Sequence, residues 1–90
     1  MEKSLFTAEY AVMLTLLRET RQHAGLTQVQ LAERLGQSQS FVSKVERGET
    51  RLDLIQLRTI CQSAGTSLQE FVAALEGRLT RPTRARRRKN

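Results

Sequence analysis

Four polar side chains lie close together in this sequence: Gln39, Ser40, Ser43 and Lys44. All four hydrogen-bond, and none is a nucleophile with a base beside it. A glutamine amide can pair with adenine N6 and N7 at once, and a lysine can donate to guanine O6 and N7. Ser40 and Lys44 are one turn apart, on the same face of a helix. Val42 and Val45 share another face and give that helix an apolar back. Such a helix suits the major groove of DNA. Catalysis has no comparable support. His23 is the single histidine and Cys61 the single cysteine. Far apart as they are, they make neither a nucleophile with a base nor a metal ligand set. No enzyme activity, metal or cofactor is expected, and no intrachain disulfide is possible.

Start and stop signals mark the helices that must position this face. Helix one is expected from about Ala8 to Ala24, capped by Thr7 and ended by Gly25. Its apolar stripe is Tyr10, Met13, Leu14 and Leu17. Helix two follows Thr27, with Gln30 placed for a capping box, and ends at Leu35 and Gly36. Small Ala32 lets another helix cross it closely. Helix three starts after Ser38 and stops before Gly48. Helix four starts after Asp53, with Gln56 three residues on, and ends at Gly65. Helix five starts after Ser67, with Glu70 three residues on, and runs to about Glu76. All five glycines fall at these expected ends. No strand-like alternation competes, so the fold class is all-α.

The net charge is +6, and it is unevenly spread. Residues 1–77 hold eight basic and nine acidic residues, close to neutrality. The remaining segment, RLTRPTRARRRKN, holds seven basic residues and no acidic one. The reading is therefore a folded domain over 1–77 and a disordered arginine-rich tail over 78–90. No run approaches the length of a membrane span, and the N-terminus lacks the pattern of a signal peptide. A cytoplasmic, nucleoid-associated location is expected.

From Leu17 to Glu76 the chain resembles the phage-repressor and Cro-like helix-turn-helix family, also called the XRE family. The resemblance is carried by LRETR at Leu17 to Arg21 and by AGLTQVQLAERLGQSQSFVSKVERGE at Ala24 to Glu49. The stretch from Leu54 to Gly65 completes it. It implies a five-helix lambda-repressor-like DNA-binding domain. It also implies that Gln39, Ser40 and Lys44 read bases. Gln28 would touch a phosphate and pack against Gln39. Arg21 would pair with Glu46, orienting two helices and leaving the arginine near a phosphate. Two positions depart from the pattern. Gln37 follows the turn glycine where many members are apolar, and is either more solvated or a phosphate contact. Leu52 stands where many have proline.

Other candidates surround this set. Ser43, Arg47, Thr50 and Arg51 are placed to touch the DNA backbone. Phe41 either borders the core or meets a thymine methyl or a sugar. Leu68, Phe71, Val72, Leu75 and Leu79 give helix five a broad apolar surface, part of which covers the core with Leu54, Leu57 and Ile60. Val72, Leu75 and Leu79 are expected to form a homodimer seam. Cys61 reads as a small core residue, and His23 as a residue favouring a helix C-terminus. The basic tail tracks phosphates or a minor groove beside the main site, binds a protein partner, or is simply solvated. The function expected is a DNA-binding transcriptional regulator, a homodimer on a pseudo-palindromic operator. The alternative is the antitoxin of a toxin–antitoxin pair that also binds its own promoter.

Overall fold

The computed structural model describes the backbone of residues 7–87 and the side chains of residues 7–80. Five helices follow in order: α1 (Ala8–His23), α2 (Gln28–Leu35), α3 (Gln39–Glu46), α4 (Leu54–Ser63) and α5 (Leu68–Arg87). Among the described residues there is no strand.

Each start is fixed by a side chain that accepts from an otherwise orphaned N–H. Thr7, Ser38 and Ser67 each take the N–H three residues on. Thr27 with Gln30, and Asp53 with Gln56, form complete capping boxes. At α5 the box is only half made, because the Glu70 carboxylate accepts from the Thr66 hydroxyl instead. The α2–α3 turn needs Gly36, whose φ of 68° lies in the left-handed region. That turn lets Gln37 N–H reach the Ala32 carbonyl at 2.9 Å.

Gly77 differs from the other four glycines. It has no positive φ, and α5 runs through it to Arg87. The helix end expected near Glu76 is therefore corrected. Composition speaks to burial, whereas a helical backbone requires only its own ladder. Pro82 has no N–H to give the carbonyl four residues back, so that ladder lacks one rung. Residues 88–90 of the expected tail lie outside the described residues.

The core sits where α1, α2, α3 and α4 meet under α5. Leu17, Leu31, Ala32, Val42, Val45, Ile60, Cys61 and Phe71 are buried in it. Ala32 permits the close α2–α3 approach, as its size promised. Val45 and Cys61 are the largest side chains wholly shut from solvent. Leu57 and Leu75 pack on the core edge, and so does Leu52, the residue noted above as departing from the resembled pattern. Leu54 was expected inward and is instead 62% exposed, beside Ile55 at 67%. Both stand in the first turn of α4, where the core-facing stripe begins only with Leu57. Among the described residues no helix is long and apolar enough to cross a membrane.

Candidate nucleic-acid interface

On α3 the faces divide as the valine spacing required. Val42, Val45 and Glu46 are buried, while Gln39, Ser40 and Lys44 are exposed. Phe41 is half-buried and packs on the core edge, the first of its two readings. Ser43 is half-buried at the side of the exposed face.

Beneath this face lies a continuous hydrogen-bonded relay. Arg21 Nε donates to Glu46 Oε2 at 2.6 Å, and Nη2 donates to Oε1 at 3.1 Å. Arg21 Nη1 donates to the Leu26 carbonyl at 2.8 Å. The two side chains are only 10% and 6% exposed, so this ion pair belongs to the interior. Gln28 Nε2 donates to Glu46 Oε1 at 2.9 Å. Gln39 Nε2 then donates to Gln28 Oε1 at 2.8 Å. Four residues from three helices are thus joined, from a buried guanidinium to an exposed amide. The resemblance implied the Arg21–Glu46 pair and the Gln28–Gln39 contact; the Gln28–Glu46 bond linking them had no sequence signal. Burial also keeps Arg21 away from the surface, so its phosphate-facing role does not follow from this geometry.

The flanking arginines have internal partners. Arg47 Nε and Nη2 donate to the two Glu49 oxygens at 2.8 and 3.1 Å, and Nη1 donates to Ser43 Oγ. The Arg47 hydrogen bonds hold the Glu49 carboxyl below its ordinary range, with Lys44 adding a smaller pull. Arg51 lies over the Tyr10 ring, 4.5 Å from its centroid. Glu49 and Tyr10 were missed as neighbours of the site. Arg47 and Glu49 are two apart across a glycine turn, a spacing outside any helix rule, and Tyr10 comes from the far end of the chain. Gln37 is exposed at the mouth of a groove lined by Leu35, Phe41, Ile55 and Ile60. Thr50 is half-buried. On α5, Val72 is exposed, whereas Leu75 and Leu79 are half-buried.

Two capped helices set around a left-handed glycine, the second with an apolar back and a polar front, define a helix-turn-helix domain. The family model HTH_3, Helix-turn-helix, matches residues 17–71, and the chain belongs to that family, with the features of its XRE members. Its class is that of DNA-binding transcription regulators. It is similar to a solved XRE-family like protein from Pseudomonas syringae pv. tomato, with 46% identity and a TM-score of 0.74 over 79% of this chain and 87% of that one. It is 36% identical over 64 residues to an uncharacterized HTH-type transcriptional regulator of Methanothermobacter thermautotrophicus, spanning 71% of this chain and 93% of the relative. The clp gene regulator ClgR of C. glutamicum shares 25% identity at a TM-score of 0.69, over 79% of this chain and 91% of that one.

Proposed function

We propose that this protein is a sequence-specific regulator that binds double-stranded DNA as a homodimer on a pseudo-palindromic operator. The observation that carries the reading is the Gln28–Gln39 amide pair, held by the buried Arg21–Glu46 ion pair behind an exposed face. An amide fixed before binding loses less rotamer freedom when it meets a base. In this reading Gln39, Ser40 and Lys44 contact bases. Gln28, Gln37, Ser43, Arg47, Thr50 and Arg51 contact the backbone. Val72, Leu75 and Leu79 lie at the dimer seam, where Val72 is the exposed member at 40%. Two recognition helices would enter successive major grooves, about 34 Å apart. The arginine-rich segment beyond Gly77 would add affinity for phosphate without sequence preference.

Selection of binding sites from random DNA tests this directly. An inverted repeat with half-sites one helical turn apart is expected. Single half-sites only would overturn the dimer, and no enriched sequence would overturn sequence-specific binding. Within the selected site, Lys44→Ala is expected to relax base preference at one position. Arg51→Ala is expected to weaken binding to every sequence and flatten its salt dependence. Identical behaviour of the two variants would show that base and backbone contacts have been wrongly divided.

A further inference from the structure

We infer that Glu46 sets the direction in which the Gln39 amide faces, and thereby makes that residue prefer adenine over guanine. The inference rests on the base-reading role proposed for Gln39. A carboxylate offers acceptors and no donor. Arg21 grips both Glu46 oxygens, and Oε1 also faces Gln28 at 2.9 Å. Gln28 must therefore turn its NH2 group towards Glu46. That rotation puts the Gln28 oxygen 2.8 Å from Gln39, which must answer with its own NH2 group. One Gln39 N–H is then spent. Its Oε1 and its second N–H remain as an adjoining acceptor and donor at the exposed end of the relay.

An acceptor beside a donor complements adenine N6 and N7. A reversed amide would bring donors to the place the oxygen now holds, and the guanine acceptors N7 and O6 would fit there. In an isolated glutamine the two orientations differ little in energy. Here the reversed one would set the Gln39 oxygen against the Gln28 oxygen, or the Gln28 oxygen against Glu46. Glu46 is buried and does not meet DNA, so it is a positioning residue that acts through Gln28.

The test is selection from random DNA with the full chain, its variants read as the adenine-to-guanine ratio at each position. Gln39→Ala first locates the position that Gln39 reads. Glu46→Gln gives Gln28 a partner that can donate or accept. Gln28→Met cuts the relay and leaves the ion pair whole. Both are expected to lower the ratio at that position by roughly five-fold or more, the least that a good bidentate contact is worth. The preference at the Lys44 position is expected to stay as it was. The double variant Gln28→Glu with Glu46→Gln again sets a group with acceptors only beside Gln39, and is expected to restore adenine. Thermal melts accompany each variant; where Glu46→Gln unfolds, Gln28→Met decides. An unchanged ratio in the folded single variants, or an equal loss at all positions, overturns the inference alone. A wild-type site with no preference that Gln39→Ala removes overturns the base-reading role, and the inference with it.

Discussion

Arg47 reaches Glu49 across Gly48 with two hydrogen bonds, so its guanidinium meets DNA only in competition with that carboxylate. The pair is more than half exposed on both sides and contributes little to stability. Its effect falls on binding. Glu49 is held below its ordinary 4.5 by the Arg47 hydrogen bonds and is anionic at neutral pH. It therefore lies as a negative charge beside Lys44 and Arg47, at the edge where phosphates would come. Glu49→Gln is expected to tighten DNA binding and to steepen its salt dependence by about 0.9 log units per log unit of salt, as one additional neutralised phosphate would. Fluorescence anisotropy across a salt series measures this, and an unchanged slope would show that Arg47 meets the same phosphates either way. Side chains like these are where the sequence was least informative. The exposed face of α3 was legible, because the exposure of Gln39, Ser40 and Lys44 follows from periodicity against the buried Val42 and Val45. The withholding of Arg47 was not, since the charge of an arginine says nothing of its partner.

Helix starts were legible almost to the residue. Thr7, Thr27, Ser38 and Asp53 each cap as their spacing required. Such signals work because both partners lie within one turn, where geometry leaves few alternatives. Glycines mislead more easily, because the same residue serves a left-handed turn and an open helix face. Gly36 and Gly77 separate the two cases. A Cβ would meet nothing within 4 Å at either position, so only the backbone decides. Gly36→Ala is expected to cost about 1–2 kcal/mol for an alanine forced to positive φ. Gly77→Ala is expected to stabilise by roughly 0.5–1 kcal/mol, as alanine does inside a helix. Chemical denaturation resolves both, and a change of the same sign at the two sites would remove Gly77 from the helix interior. Leu54 belongs at this scale as well. Its apolar character placed it with Leu57 and Ile60, but the turn that starts α4 lies beyond the edge of the core.

At the scale of the molecule, the first and last helices are tied together by Arg78 and Glu19, whose atoms approach to 2.5 Å. The hydrogen bond from Arg78 holds the Glu19 carboxyl below its ordinary 4.5, against a smaller opposing effect of partial burial. A carboxyl with a depressed folded value stabilises the fold above its unfolded value, and that contribution fades as pH falls through the depressed one. Wild type and Glu19→Gln are therefore expected to differ in urea stability at neutral pH and to converge below pH 4.5. A difference independent of pH would show that the pair is not coupled to folding. From Arg78 onwards every charged side chain is positive, while residues 1–77 are close to neutral. A chain ending at Thr80 keeps the Glu19 contact and loses all of the excess charge. It is expected to select the same DNA sequence with lower affinity and a flatter salt slope. A changed sequence preference would assign the segment a part in base reading. The charge division was legible from counting alone, whereas the α1–α5 tie, 59 residues apart in sequence, was not.

Cys61 gives the whole molecule one further property. It is the single thiol of the chain, has 0% exposure, and burial pushes its titration up. A maleimide can reach it only when the core opens, so its rate of alkylation is a clock for that opening. A ligand that binds only the closed form slows the clock by the inverse of the fraction left unbound, about a hundred-fold at a hundred times Kd. Mass spectrometry of unlabelled, unmutated protein could therefore rank candidate operators by how long each one protects a single sulfur atom.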